Sequence, residues 1–193
     1  MKFLILTLGL ASSSMAGVIL TMDEVGFQPI NGLAVIKGGV TFNFTDTSGS
    51  DYDSAGPGQE VYVQDPSIEG QTAGETITIS WSQLFPDVLF GLALSTQGSV
   101  STLATVSLYN GLTLVSTSTF GGSQLAGDNF TEGLFSYDGA PVNNIVITMN
   151  SAAASAFALD NFAVTTPEPS TFAMLAGASV AIAAGVFKRR KSA

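Results

Sequence analysis

Thr76-Ile77-Thr78-Ile79-Ser80-Trp81 alternates strictly between polar and apolar side chains. Successive side chains of a β-strand point to opposite faces, so this period of two puts Ile77, Ile79 and Trp81 on one buried face. Residues 40–44 and 144–149 repeat the pattern. Further strand candidates are residues 88–95, 102–109, 112–119 and 156–164. The body of the chain is therefore predicted to form β-strands, since its apolar residues show no helical periodicity.

The separators between these runs have turn chemistry. Asn110-Gly111 predicts a hairpin with a type I′ turn between residues 103–109 and 112–115. Gly121-Gly122 and Asp138-Gly139-Ala140-Pro141 predict further turns, and residues 46–60 predict a long loop. About nine to eleven short strands predict an all-β fold, a two-sheet antiparallel sandwich of jelly-roll-like type.

One candidate strand, residues 156–164, changes parity midway. Phe157 and Leu159 share one face, whereas Phe162 and Val164 continue on the other parity. One extra residue at Asp160-Asn161 restores the apolar side, which predicts a β-bulge. Because a bulge re-aims side chains, this position is a candidate site.

Charge is distributed unevenly along the chain. Residues 17–166 contain one cation, Lys37, and fourteen carboxylates, a net charge of −13. Nucleic-acid binding depends on Lys and Arg that neutralise phosphates, so it is excluded. The acidity has two interpretations that stay open here. One is solubility outside the cell, and the other is binding of a divalent cation by Asp51, Asp53, Asp46 and Glu60 in the long loop.

The chain has neither cysteine nor histidine. Thiol chemistry, disulfides and His-dependent triads are therefore excluded, and so are zinc sites of the usual kind. A carboxylate pair of the glycosidase type is the remaining catalytic option. We expect no enzyme, because no nucleophile elbow or phosphate-binding loop is present.

The N-terminus has the features of a secretory signal peptide, residues 1–16. Lys2 precedes the apolar run 3–10, and Ser14-Met15-Ala16 supplies the small residues of a cleavage site between Ala16 and Gly17. We therefore expect an extracytoplasmic domain at residues 17–166.

The C-terminus, residues 167–193, has three parts. Pro167-Glu168-Pro169-Ser170-Thr171 comes first, the uncharged run 172–187 follows, and Lys188-Arg189-Arg190-Lys191 forms a basic tail. As a transmembrane helix the apolar run spans about 24 Å, short of the roughly 30 Å hydrocarbon core. The basic end predicts that the tail stays in the cytoplasm and the body lies outside.

This order and spacing resemble the PEP-CTERM sorting signal of Gram-negative bacteria. The resemblance implies recognition by an exosortase, a membrane protease-transpeptidase, near Pro-Glu-Pro. It also implies transient anchoring in the inner membrane, followed by transfer to the cell envelope or an extracellular polysaccharide matrix.

The body has a second resemblance, to secreted domains of undefined function that are similar to the jelly rolls of carbohydrate-binding modules. It rests on the segments Gly32-Leu33, Gly39-Val40-Thr41-Phe42, Gly56-Pro57-Gly58, Gly91-Leu92-Ala93-Leu94 and Ala158-Leu159-Asp160-Asn161. The resemblance implies a structural Ca²⁺ held by Asp23 or Glu24 together with Asp160. Polar capping of the bulge is the alternative role for Asp160.

The functional expectation is a non-catalytic envelope or matrix protein. The alternative is a carbohydrate-binding module for surface polysaccharide, and a glycoside-active enzyme comes third. Sugar binding commonly uses exposed aromatic side chains. Trp81 lies on an apolar face and is predicted to be core. The freer candidates are Tyr52, Tyr62, Tyr109 and Tyr137.

Overall fold

The computed structural model describes residues 17–54, 61–72, 74–124 and 129–165. Gly17–Thr166 forms one compact unit. The predicted signal peptide and the predicted sorting segment lie outside the described residues, and so does Glu60. Within the described ranges, no helix is long and apolar enough to cross a membrane.

The described residues form eleven strands with antiparallel pairing, which confirms the predicted all-β sandwich. The strands are β1 Val18–Leu20, β2 Gln28–Pro29, β3 Ala34–Lys37, β4 Val40–Thr45, β5 Asp51–Ser54, β6 Ser67–Gln71, β7 Thr76–Leu94, β8 Val100–Asn110, β9 Thr113–Gln124, β10 Thr131–Met149 and β11 Ala156–Thr165.

Two long strands, β7 and β10, connect the two layers. The first half of β7 pairs with β4 and with the second half of β10, which in turn pairs with β8. The second half of β7 pairs with β11 and with the first half of β10. The first layer therefore contains β3, β4, β8 and most of β9, and the second contains β1, β2, β5, β6, β11 and the end of β9 at Ser123 and Gln124, with β7 and β10 passing through both.

Both long strands contain a proline where they change layer. Pro86 lies between the pairs Phe85↔Val142 and Asp87↔Asp138, and Pro141 lies in the register shift between Asp138 and Val142. Proline has no N–H to donate to a ladder, so it is tolerated in a strand where pairing is irregular. The sequence predicts two separate strands in place of β7 and a turn at residues 138–141. Both predictions are wrong, because each strand continues through its bend.

Aromatic rings join the two layers in the core. Phe162 on β11 lies 6.2 Å from Phe42 on β4 and 5.6 Å from Trp81 on β7, both edge-on. It also stacks on Phe90 at 6.2 Å. Trp81 is 3% exposed, which confirms its predicted place in the core.

The β8–β9 hairpin differs from its prediction by one residue. Asn110 pairs with Thr113, so the two-residue loop is Gly111-Leu112. Gly111 has a φ of 59°, whereas Leu112 is not among the residues with positive φ. A positive φ at the first loop position alone is typical of a type II′ turn, not of the predicted type I′.

Two further local predictions are wrong. Gly121-Gly122 is not a turn but part of β9, where a Cβ on Gly122 would lie 2.4 Å from the carbonyl oxygen of Glu132. These glycines permit close backbone approach instead. The predicted loop 46–60 contains strand β5, whose Tyr52 is fully buried against Phe44.

Candidate functional site

The predicted bulge is present in β11. The register with β7 shifts between Asp160 and Ala163, and Asn161 has a φ of 54°. Asparagine tolerates this left-handed conformation better than most residues. Phe157, Leu159, Phe162 and Val164 all enter the core as a result. The parity argument from sequence is therefore confirmed.

Asp160 lies at the bulge and is 2% exposed. Its Oδ2 accepts hydrogen bonds from the Gln64 N–H at 3.0 Å and from Asn161 Nδ2 at 2.8 Å. Its Oδ1 is buried without a hydrogen-bond partner. Burial, with a smaller contribution from the charges of Glu24 and Asp23, raises the pKa of Asp160 to about 6 against the hydrogen bonds from Asn161 and Gln64 that lower it. The carboxylate thus fixes the segment at Gln64 to the bulge.

Glu24 lies on a neighbouring part of the same layer and is already neutralised. It forms a salt bridge with Lys37 and accepts hydrogen bonds from the Tyr52 hydroxyl and, at 3.0 Å, from the Thr21 N–H. Burial opposes ionisation, but the hydrogen bonds from Lys37 and Tyr52 outweigh it and lower the pKa of Glu24. Asp23 accepts a hydrogen bond from the Thr21 hydroxyl at 2.7 Å.

The predicted calcium residues therefore share one region, and a cation there stays a prediction. Lys37 neutralises Glu24. Among the three predicted calcium residues, Asp23, Glu24 and Asp160, the buried carboxylate oxygen without a hydrogen-bond partner is therefore Asp160 Oδ1. Ca²⁺ takes six to eight oxygen ligands. In the part of the chain that the structure describes, no group of three or more Asp, Glu, His or Cys residues could hold a metal ion.

Glu75 is a fully buried carboxylate that the sequence analysis missed. Its Oε2 accepts a hydrogen bond from the Ser48 hydroxyl, and its Oε1 is unpaired. Burial raises the pKa of Glu75, and the charge of Asp46 adds to this effect. Glu75 comes directly before the alternating run of β7, so its position next to a buried strand was the available signal.

A groove of about 320 Å³ lies on the second layer. We call it the β5–β6 groove. It is lined by Gly49, Asp51, Ser54, Glu69, Gly70, Gln71, Phe130, Ala156, Phe157 and Ala158. Its volume is at the lower end of small-molecule sites, which run from about 300 to 1,000 Å³. It combines carboxylates and an amide with the half-buried ring of Phe130, a residue not singled out from sequence.

The strand register explains this lining. Asp51 pairs with Glu69, Glu69 with Ala158, Ala158 with Ala93, and Ala93 with Glu132. Ala158 and Ala93 therefore lie between Asp51 and Glu69 on one side and Glu132 on the other. We call this row of five residues the acidic face. Asp51 and Glu69 are neighbours on adjacent strands, so they do not face each other across a cleft. Burial raises the pKa of Glu69 despite a hydrogen bond from Ser67.

A short segment, residues 61–65, covers part of the acidic face. Val63 is buried against Ala93 and Ala158. The carboxylate of Glu132 accepts hydrogen bonds from the Val61 N–H at 3.1 Å and the Tyr62 N–H at 2.7 Å. A Cβ on Gly91 would lie 2.1 Å from the Tyr62 carbonyl oxygen. The small residues of the acidic face thus leave room for this segment.

The first layer presents a different outer surface, made of uncharged side chains. In one row, Thr45, Thr78, Val146, Ser107 and Thr117 pair in succession across five strands. The next row consists of Thr76, Thr148, Thr105 and Thr119. We call these two rows the hydroxyl face. Its side chains bond to one another in places, as in the 3.1 Å contact between the hydroxyls of Ser107 and Thr117.

The aromatic candidates divide between core and surface. Tyr52 is buried, so the prediction that its ring is free to bind a sugar is wrong, whereas Tyr62 is 38% exposed. Tyr109 and Tyr137 are half-buried. No row of exposed coplanar rings is formed by the described aromatic residues, since the exposed ones are Phe27 and Tyr62.

No protein-family model and no curated protein matches the chain. Among solved structures, a family 29 carbohydrate-binding module from Piromyces equi is 13% identical, with a TM-score of 0.38 over 73% of this chain and 91% of that chain. The cleaved adhesin domain of Lys-gingipain from Porphyromonas gingivalis is 7% identical, with a TM-score of 0.40 over 72% of this chain and 96% of that one. Likeness at this level does not indicate a shared ligand.

Proposed function

We propose that the protein is a non-catalytic carbohydrate-binding protein of the cell surface, and that the β5–β6 groove takes the sugar. The observation that carries the proposal is the lining of the groove. Phe130 offers an apolar ring, and Asp51, Glu69 and Gln71 offer hydrogen-bonding groups around a floor of small residues. Sugars present both hydroxyl groups and apolar ring faces, and binding sites of this kind are apolar with a few placed polar groups.

The charge of the groove restricts its ligand. Asp51 and Glu69 are adjacent, and the one cation of residues 17–166, Lys37, is engaged with Glu24. Uronic-acid polymers would bring like charges to this surface, and such contacts oppose binding. We therefore expect a neutral polysaccharide.

A glycan-array screen tests this proposal. We expect binding to neutral glycans, and at least a tenfold loss of affinity, about 1.4 kcal/mol, in the Phe130→Ala variant. Tyr109→Ala is the matched control, because Tyr109 is also a half-buried aromatic residue but lies on the first layer. Equal affinity of the Phe130→Ala variant and the wild type, or preference for uronate polymers, would contradict the proposal.

The same screen separates binding from catalysis. A bound oligosaccharide that stays intact on long incubation supports a non-catalytic role. Release of shorter products that stops in Glu69→Gln would instead assign a glycoside-active enzyme, because acid catalysis requires the carboxyl group.

The proposal includes export and C-terminal processing, which rest on the sequence of the two ends. We expect that Glu168→Ala, or deletion of residues 188–191, leaves the protein unprocessed in the inner membrane. Mass spectrometry of the mature C-terminus is the measurement. A mature chain that still includes Phe187 would refute processing.

A second candidate function is a structural role in the envelope or polysaccharide matrix. The hydroxyl face favours it, since a broad uncharged surface without exposed rings suits extended contacts more than capture of a single sugar. A structural Ca²⁺ at Asp160 belongs to either candidate. Thermal unfolding with and without a chelator tests it, and an unchanged midpoint would exclude the ion.

A further inference from the structure

The strand β9 is an edge with unusual properties. Residues 113–122 pair with β8 on one side, and the end of β9 meets β10, where Ser123 and Gln124 pair with it and Gly121 and Gly122 approach its backbone closely. On the other side of residues 113–120, no strand pairs with β9 among the residues that the structure describes. A row of backbone N–H and C=O groups is therefore available for pairing.

The other end strands of the sheet are protected, and the part of β10 that pairs only with β7, residues 133–138, ends at the charged Asp138. β2 has two residues and includes Pro29, β1 has three residues, and β3 has four residues and ends at Lys37. Short length, proline and charge are the features that keep exposed edges from pairing with other chains. β9 has twelve residues and contains neither a charge nor a proline.

Charge singles out the same strand. Residues 88–127 contain no charged side chain, although residues 17–166 have a net charge of −13. Two copies of the chain would repel each other through most of their surfaces. Along β9 this repulsion is weakest, and its Thr, Ser, Val and Phe residues have high β propensity or tolerate an exposed strand position.

We propose that β9 pairs with β9 of a second copy of this chain, which forms a symmetric antiparallel dimer. The pairing centres on Ser118, because the regular register with β8 runs from Ser116 to Phe120 and shifts at either end. A two-fold interface of this kind uses the same strand twice, with residue i opposite residue j and j opposite i. It would extend the hydroxyl face across both copies, since Thr117 and Thr119 are its outermost residues.

Cysteine cross-linking tests the contact directly, because the chain has no cysteine of its own. Single variants Ser116→Cys, Thr117→Cys and Ser118→Cys are made in the full chain and oxidised mildly. Opposed residues of paired strands have Cα atoms about 4.5 to 5.5 Å apart, within the range for a disulfide. We expect a covalent dimer that is strongest at residue 118. Ile36→Cys on the β3 edge, where Ile36 is 74% exposed, is the control.

A charge variant tests the same contact without a cross-linking reaction. Thr117→Lys places two like charges at the centre of the dimer, and we expect at least a tenfold increase of the dimer dissociation constant. Thr45→Lys adds the same charge at the opposite end of the same row of the hydroxyl face and is expected to change little. Both variants add one positive charge to the same full chain, so a difference between their dimer dissociation constants reports on β9.

Two results would overturn the proposal. One is cross-linking at Ile36 as efficient as at residue 118. The other is equal dimer dissociation constants for Thr117→Lys and Thr45→Lys. This inference does not depend on sugar binding, because the β5–β6 groove lies on the other layer.

Discussion

The two halves of the strand pair β7–β10 have the same backbone pairing but opposite surface chemistry. In the first layer, Thr78 and Thr148 lie on an uncharged outer face above a core of Ile77, Ile79 and Ile147. In the second layer, the outer face of the same strands carries Ala93, Gly91 and the buried Glu132, and residues 61–65 cover it. Because the backbone pairing is the same in both halves, the difference lies in the outward side chains, and those at Gly91 and Ala93 are small enough to admit residues 61–65.

The largest expected effect comes from the ring that joins the two layers. Phe162→Ala removes contacts with Phe42, Trp81 and Phe90 at once, and we expect unfolding to become easier by about 4 kcal/mol. Trp81 is the only tryptophan, so its fluorescence in a urea titration reports the transition. Leu112→Ala is the control, because Leu112 is 99% exposed. A loss below about 1 kcal/mol would mean that the layers do not depend on this ring.

The second prediction removes the cover from the acidic face. Gly91→Ala puts a methyl group 2.1 Å from the Tyr62 carbonyl oxygen, so residues 61–65 must move. We expect a loss of about 2 to 3 kcal/mol, as for overpacked sites, and faster proteolysis near Tyr62. Gly26→Ala is the matched control, since a Cβ there meets nothing within 4 Å. Equal behaviour of the two variants would show that the segment does not rest on Gly91.

The alternating strands and the bulge were predictable from the sequence, because both follow from local periodicity. Residues 76–81 and 144–149 lie in strands as predicted, and the parity break located Asp160-Asn161 correctly. The interruptions predicted near Pro86 and Pro141 are wrong, because both strands continue past them. Whether a strand ends or bends at a proline depends on the partner that continues beyond it, and that partner is distant in sequence.

The candidate site was less accessible to prediction for a similar reason. The groove joins Asp51, Glu69 and Phe130 from three separate segments, which only the cross-strand register brings together. Tyr52 was misplaced because the turn-forming residues around it hid a four-residue strand. Glu75 was missed because its burial depends on Ser48 and Asp46 from the preceding connection.

The third prediction concerns the pH dependence of the covered half. The pKa of Asp160 is raised from 3.8 to about 6 in the folded chain. The folded state therefore holds this proton more tightly, so the contribution of Asp160 to stability falls as pH rises from about 4 to 6 and then stays level. We expect a decrease of about 2 kcal/mol across that window. Urea titrations of wild type and Asp160→Asn, with chelator present, measure it.

The control for that measurement is the difference in unfolding free energy between the wild type and Asp160→Asn, since the other carboxylates titrate in both proteins. The Asp160→Asn curve should be flatter by the same amount between pH 4 and pH 6. Parallel curves would show that Asp160 ionises normally. If the fall appears with chelator and disappears when Ca²⁺ is added, a bound cation is stabilising the ionised carboxylate instead.

The smallest expected effects come from the same substitution, threonine to alanine, made at the two ends of β10. Thr131 is buried, and its hydroxyl donates to the Gly98 carbonyl at 2.6 Å or the Thr96 carbonyl at 3.0 Å. Thr148 lies on the hydroxyl face, where its hydroxyl is 3.4 Å from that of Thr76. We expect Thr131→Ala to cost about 1.5 kcal/mol, because a buried hydrogen bond is lost, and Thr148→Ala to cost less than about 0.5 kcal/mol.

Urea titration of both variants decides whether folding alone explains the hydroxyl face. Equal losses would mean that its threonines are needed for the stability of the sheet. A silent Thr148→Ala, beside a costly Thr131→Ala, would show that stability places little constraint on these outer positions. Charged residues would then be tolerated there as far as folding is concerned. Their absence from both rows of the hydroxyl face would instead reflect what that face contacts, either a neutral polysaccharide or the extended sheet of a second copy.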